Sequence, residues 1–163
     1  MTQHVSIGFA SRGPSMAART ARLRRNVAAD LASRQVCTDL VRAYAPYGGV
    51  ADADALALRL RRLHRQPLSL PARWIVAREV VCFQDRGVNF LPNFEFDEAT
   101  LLPRPSVRRV VRELRNVCEN LDLAQWFVSS NPSLEALPPV AVIDAEPDRV
   151  LEAARADRFL ASW

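Results

Sequence analysis

The stretch from Ser69 to Asp97 constrains the fold more than any other part of the chain. Ser69 can cap a helix that carries Pro71 in its first turn, where the missing proline N–H costs little. A β-branched and aromatic run follows. The sequence from Gln84 to Gly87 then predicts a hairpin turn, because glycine accepts the positive φ that such a turn requires. We therefore predict a short helix that runs directly into a β-hairpin.

The return strand of this hairpin alternates between apolar and polar residues, which predicts two different faces. The two faces are Val88, Phe90, Phe94 and Phe96 on one side, and Asn89, Asn93 and Glu95 on the other. Pro92 has no amide donor for a strand partner. It therefore predicts either an edge strand or a bend at that point.

Segments on both sides of this unit show helical periodicity. Met16 to Tyr44 predicts one helix, Asp52 or Asp54 can cap a second, and Ser106 can cap a further amphipathic helix. Shorter helical patterns follow towards the C-terminus. The chain is therefore expected to be mainly α with one β-hairpin, an α+β fold of helix-turn-helix or winged type with a C-terminal helical region.

Composition divides the chain into three parts. Residues 1–15 show no periodicity, which indicates a disordered basic arm. The first 29 residues contain no acid and several arginines, a composition that mitochondrial transit peptides share, and we favour the flexible arm. Residues 16–100 form the helical region with the helix and hairpin, and residues 101–163 form a C-terminal helical region that shares one core with it. No apolar run approaches the ~20 residues that a membrane span needs. We expect a cytoplasmic protein without membrane contact.

The basic residues are unevenly distributed along the chain. All 22 are arginine, which a GC-rich genome favours without a functional reason, so their position is more informative than their number. Residues 51–78 hold six arginines and two aspartates, whereas residues 118–163 hold eight acids and three arginines. The N-terminal part of the chain is therefore basic and the C-terminal part is acidic.

A helix followed by a hairpin has a shape that suits DNA, because a helix fits the major groove and a hairpin can lie along the phosphates. Arg73 and Arg78 project from the predicted helix, and Arg86 lies at the hairpin tip. Three more arginines lie on the preceding helix. The candidate DNA-binding residues are Arg59, Arg61, Arg62, Arg73, Arg78 and Arg86. The alternative is that these side chains are simply solvated.

Two other groups of residues leave alternatives open. Trp74 is expected in the core rather than as a base-stacking platform, because Ile75 and Val76 adjoin it. The arginines between Arg108 and Arg115 form either a second phosphate-binding strip or the solvated face of an amphipathic helix, and we favour the solvated face. Trp126 is expected in the core, and a large exposed area there would instead indicate a protein interface.

Sequence motifs for metal binding and catalysis are absent. Cys37, Cys82 and Cys118 form no CxxC pair, and the two histidines, His4 and His64, share no ligand spacing with them. There is no glycine-rich phosphate loop, nucleophile elbow or HExxH sequence. We therefore expect a non-catalytic protein without metal or cofactor.

The segment from Phe90 to Asp97, FLPNFEFD, resembles the FPxWQFD segment that closes the hairpin in the Xre/MbcA/ParS antitoxins, with Phe94 for Trp and Glu95 for Gln. The C-terminal part of the chain is similar in order and spacing to that family's tail, with Trp126, then NPSL at 131–134, then VLEAA at 150–154. The similarity covers residues 70–155. It departs from the family at 135–143, where the glycines of GGxTPLELL are missing.

This resemblance implies a small bacterial regulator. It implies a helical DNA-binding region, a C-terminal region that sequesters a RES-domain toxin acting on NAD, and a homodimer that represses its own operon. Trp126, Asn131 and Leu134 are the implied partner-binding residues. We therefore expect a DNA-binding, antitoxin-like transcriptional regulator of a toxin–antitoxin-type operon. The alternative is a protein-interaction module that sequesters a partner through its acidic C-terminal region without binding DNA.

Overall fold

The computed structural model describes residues 16–64 and 70–161, with side chains from residue 28 onward within those ranges. The elements are α1 (Met16–Tyr44), β1 (Val50–Asp52), α2 (Ala53–Leu60), α3 (Leu70–Val76), β2 (Phe83–Asp85), β3 (Val88–Pro92), α4 (Pro105–Leu114), α5 (Asn120–Val128), α6 (Pro139–Val142) and α7 (Pro147–Ala161). The protein is mainly helical with a small antiparallel sheet, as predicted. The predicted arm at residues 1–15 and the predicted cap Ser69 lie outside the described residues.

The chain divides into two compact units, residues 1–35 and residues 36–163. In the first unit the described residues belong to α1, where Asp30 and Arg34 form an ion pair of 3.0 Å one turn apart. The second unit contains the end of α1 and all the other described elements. Among the described helices, none combines the length and the apolar character that crossing a bilayer requires.

The predicted hairpin is present as β2 and β3. Asp85 pairs with Val88, which leaves Arg86 and Gly87 as a two-residue turn. Their φ angles are 50° and 81°. Two successive positive φ angles define a type I′ turn, whose twist matches that of the flanking strands.

The sheet contains a third strand that the sequence pattern did not reveal. β1 pairs with β3 from Val50 opposite Pro92 to Asp52 opposite Phe90, so the strand order is β1–β3–β2. β3 is therefore the central strand, and of the two alternatives for Pro92 the bend is correct. Pro92 is the last residue of β3, and the chain then turns into a 3-10 helix at Asn93–Glu95.

This 3-10 turn ends the alternation that was predicted for the return strand. Because its residues no longer follow a period of two, Glu95 lies in the core with 1% of its surface exposed, rather than on a polar face. Val88, predicted on the apolar face, is 36% exposed. Leu91, which neither predicted face includes, is fully buried.

Helix starts follow the predicted caps in one case and not in another. Asp52 caps α2, because its carboxylate accepts the N–H of Asp54 at 2.7 Å. Ser106 does not cap α4. That helix begins one residue earlier, at Pro105, which suits the first helical turn, and Arg104 at the N-cap makes no capping bond.

Buried apolar side chains form two clusters. The smaller core consists of Leu56, Leu60, Trp74, Val80, Leu91, Phe96 and Leu101. The larger core joins the end of α1 with β2 and with α4 to α7, and its largest side chains are Tyr44, Phe83 and Phe127. Trp74 is 8% exposed and its ring lies 5.8 Å from that of Phe96, so its predicted core position is confirmed.

Candidate nucleic-acid interface

Five of the six candidate DNA-binding arginines lie exposed on α2, α3 and the hairpin. Arg59 lies in the last turn of α2, and Arg61 and Arg62 follow directly. Arg73 projects from α3, and Arg86 lies at the hairpin tip. Since α2, α3 and β3 share the smaller core, these side chains belong to one packed unit.

α3 buries one face and exposes the other. Pro71 and Trp74 are buried. The exposed side consists of Ala72, Arg73 and Val76, together with Ala77 directly after the helix. Their spacing of three and four residues places them on one side of a helix. The apolar run at 74–76 did not suggest that Val76 is exposed, although a helical wheel drawn through Arg73 would have shown it.

Arg78 differs from the other five because its side chain is bound within the protein. Its φ of 50° ends α3, and its N–H bonds to the carbonyl oxygen of Ile75 at 3.0 Å. Its Nη2 donates to the carbonyl oxygen of Cys118 at 2.6 Å. In this position the guanidinium holds the end of α3 against the segment after α4, whereas the predicted role needs it free for DNA.

The arginine row of α4 is also largely committed to the protein. Three of its four members contact protein groups. The contacts are Arg108 with Glu79 at 2.7 Å, Arg109 with Asp148 at 2.9 Å, and Arg115 with the carbonyl oxygen of Ala77 at 3.2 Å. Arg112 is exposed. The row therefore mainly joins α4 to α7 and to the end of α3, which neither predicted alternative included.

The described arginines thus fall into two groups. Those of α1 and of α4 to α7 mostly bind carboxylates or carbonyl oxygens. The exposed arginines for which the described residues supply no partner are Arg59, Arg61, Arg62, Arg73, Arg86 and Arg112. Five of these six lie between α2 and the hairpin tip, so the exposed arginines without a partner among the described residues are concentrated on this unit. The same unit also carries acids, of which Asp54, Asp97 and Glu98 are exposed.

Glu95, in the 3-10 turn that follows β3, is buried inside this unit. Its Oε2 accepts the N–H of Val81 at 2.7 Å, and its Oε1 has no partner among the described residues. Burial raises the pKa of the Glu95 carboxyl well above its ordinary value, and the bond from Val81 offsets only part of that rise. Burial, followed by the charge of Glu95, raises the pKa of the adjacent Cys82 thiol to about 12.

The three candidate partner-binding residues are mainly internal. Trp126 and Asn131 both donate to Oδ2 of Asp157, at 2.7 Å and 2.8 Å. Asn131 is 5% exposed and Leu134 is fully buried. Trp126 is partly buried against the larger core, with its ring perpendicular to that of Phe127. These residues therefore mainly stabilise the C-terminal region, and of the three only Trp126 keeps some exposed surface for a partner.

A cleft of about 800 Å³ lies beside α2, the loop after β3, and α6. Arg59, Arg104, Asp97 and Asp144 are among its lining residues. Arg104 and Asp144 neutralise each other in an ion pair of 2.5 Å. Hydrogen bonds, chiefly from the backbone and side chain of Thr100, lower the pKa of Asp97. The described residues contain no group of three or more side chains that could hold a metal ion.

Comparison with known proteins adds no identification. No protein-family model, curated protein or solved structure matches the chain. The functional inference therefore depends on the surface chemistry of the described residues.

Proposed function

We propose that this protein is a non-catalytic transcriptional regulator that binds duplex DNA through α2, α3 and the β2–β3 hairpin. The observation that carries the proposal is the concentration of unpaired arginines on this unit. They are Arg59, Arg61, Arg62, Arg73 and Arg86. Phosphates are acceptors that suit such cations, since guanidinium groups bind them with good geometry and neutralisation releases condensed counterions.

The order of the elements supports this proposal. The elements follow in the order α1, β1, α2, α3, β2 and β3, and β1 pairs with β3. This is the arrangement of a winged helix-turn-helix. In helix-turn-helix proteins the second helix enters the major groove and the first crosses the backbone. By this analogy α3 is the recognition helix and the hairpin is the wing. Because folds do not determine function, the free arginines carry more weight than the topology.

The position of each arginine suggests its role. Arg59, Arg61 and Arg62, at and after the end of α2, contact phosphates. Arg73, on the exposed face of α3, reaches the base edges, and Arg86 at the wing tip contacts the backbone or the minor groove. In this proposal Arg78, taken from the sequence as a DNA ligand, instead acts indirectly, because its bond to Cys118 holds α3 in place.

Titration of fluorescent duplex DNA at two salt concentrations tests the proposal. Four or five phosphate contacts correspond to a loss of affinity of roughly a hundredfold or more between about 50 and 200 mM salt. Arg61→Ala and Arg86→Ala should each weaken binding and reduce the salt dependence. Arg112→Ala is the matched control, because Arg112 is exposed and has no partner among the described residues, but lies on α4. Absent or salt-independent binding contradicts the proposal.

The resemblance to the Xre/MbcA/ParS antitoxins extends the proposal to an operon. The regulator would act as a homodimer on the promoter of a toxin–antitoxin-type operon, with a RES-domain toxin as the partner of its C-terminal region. Preference for DNA from upstream of its own gene over unrelated duplexes of the same length tests the first part. Light scattering at increasing protein concentration tests the dimer, and a constant monomer mass contradicts it.

A second candidate is a partner-binding module that does not use DNA. The acidic balance of residues 118–163 favours it, together with the exposed apolar side chains of Leu137 and Leu160, which are 49% and 71% exposed. Co-purification with the product of a neighbouring RES-domain gene, with loss of its NAD-degrading activity, would support this candidate. Leu137→Ser and Leu160→Ser should then weaken the complex, whereas Leu58→Ser, an exposed leucine on α2, should not.

A further inference from the structure

The exposed face of α3 has an unusual composition for a solvated surface. It holds one hydrogen-bonding side chain, Arg73, and three apolar ones, Ala72, Val76 and Ala77. Arg73 and Val76 are three residues apart, so their side chains are neighbours on this face. The face therefore presents the hydrogen-bond donors of the Arg73 guanidinium beside the methyl groups of Val76 and the two alanines.

Val76 is the most exposed of the large apolar side chains in the described part of the chain. Its exposed fraction is 84%, although Trp74, two residues earlier, is buried. Burying it against a partner would remove this apolar surface from water, which is favourable. A partner that covers Val76 and also accepts hydrogen bonds from Arg73 would therefore bind this face favourably.

Charge complementarity selects duplex DNA as that partner. Residues 70–78 contain no acid, and the next acid along the chain, Glu79, is neutralised by Arg108 at 2.7 Å. The same unit carries exposed arginines at the end of α2 and at the wing tip that have no partner among the described residues. A polyanion with acceptors and methyl groups in one groove fits this pattern.

We propose that α3 reads a guanine close to a thymine in the major groove. Arg73 donates two hydrogen bonds to O6 and N7 of the guanine, and Val76 contacts the C5-methyl group of the thymine. Residues three apart lie about 4.5 Å apart along a helix axis. A base-pair step is about 3.4 Å, so the two bases lie within one or two steps of each other. This inference rests on the proposed DNA binding.

Selection from a random duplex library, followed by single-base replacement, tests the readout of thymine. Replacing the contacted thymine by deoxyuridine removes only its methyl group, which should weaken wild-type binding about fourfold. Val76→Ala should bind the two duplexes with nearly equal affinity. Val117→Ala is the matched control, because Val117 is an exposed valine outside this unit, and it should keep the wild-type difference.

The readout of guanine is tested on the same selected duplex. Exchanging the contacted G·C pair for A·T should weaken wild-type binding about tenfold. Arg73→Ala should bind both duplexes alike while keeping most of its salt-dependent affinity. Arg112→Ala should retain the tenfold preference.

The outcomes separate this inference from the proposed function. Salt-dependent binding without a preference for guanine, or with equal affinity for thymine and uracil at every position, overturns the readout and leaves DNA binding standing. Failure of the wild-type protein to bind any duplex at low salt overturns both.

Discussion

The guanidinium of Arg78 lies 2.6 Å from the carbonyl oxygen of Cys118, 40 residues further along the chain. Arg73, five residues before Arg78, projects into solvent from α3. Two arginines that look equivalent in the sequence are therefore different in the structure. One fastens α3 to the segment after α4, and the other is available to a ligand.

Removal of each of these two arginines should have a different effect. Arg78→Ala should lower the free energy of unfolding by about 1–2 kcal/mol, because it removes a charge-assisted hydrogen bond. Arg73→Ala should change that free energy by no more than about 0.5 kcal/mol, since the side chain is exposed. Urea denaturation measures both values. If the two variants unfold at the same urea concentration, the Arg78–Cys118 bond does not stabilise the fold.

Arg86→Gly should remove the wing-tip cation without weakening the hairpin. Arg86 has a φ of 50°, a conformation that costs an L-residue roughly 1 kcal/mol and glycine almost nothing. We expect equal or higher stability in urea together with weaker DNA binding. Gly87→Ala is the opposite control. An added Cβ would meet no atom within 4 Å, but the φ of 81° is strained for alanine, so stability should fall.

Glu95→Gln should reduce the loss of stability as the pH rises. The folded state raises the pKa of Glu95 above its ordinary value of 4.5, so the unfolded chain releases this proton first. The associated stability is present below pH 4.5 and decreases as the pH rises towards the folded-state pKa. Glutamine keeps an oxygen that can accept the N–H of Val81 and carries no proton to lose.

Urea denaturation at about pH 5.5 and pH 8 measures this effect, since the thiol and phenol next to Glu95 titrate at higher pH. Burial raises the pKa values of both the Cys82 thiol and the Tyr44 phenol, so they add no slope in this window. The variant should be more stable than the wild-type protein at the higher pH. Parallel pH dependences for the two proteins would show that Glu95 is not the titrating group.

Asp157→Ala should destabilise the C-terminal region by about 2–3 kcal/mol. The change removes the acceptor that Trp126 Nε1 and Asn131 Nδ2 share, and Asn131 is buried. Asp148→Ala on the same helix breaks only the pair with Arg109, in which the aspartate side chain is 81% exposed. It should change stability by less than about 0.5 kcal/mol. Thermal unfolding followed by circular dichroism distinguishes the two, and similar midpoints would contradict the proposed network.

The sequence alone determined those features that depend on near neighbours in the chain. The bounds of α1, the Asp52 cap and the turn around Gly87 follow from periodicity, local hydrogen bonding and the φ that glycine tolerates. The same local patterns correctly predicted a mainly helical chain with a hairpin. They also identified the basic segment, because charge along the chain can be counted directly.

Only the tertiary structure decided which surfaces are covered. Two of the features that it decided join residues that are distant along the chain: the pairing of β1 with β3 and the bond between Arg78 and Cys118. The burial of Glu95 depends on the 3-10 turn that interrupts the alternation of the strand. Packing of non-local elements selects one face of each helix and one acceptor for each cation, and no local pattern specifies that choice. For this reason the sequence predicted all six arginines as DNA ligands, whereas the structure separates Arg78 from the five that have no partner among the described residues.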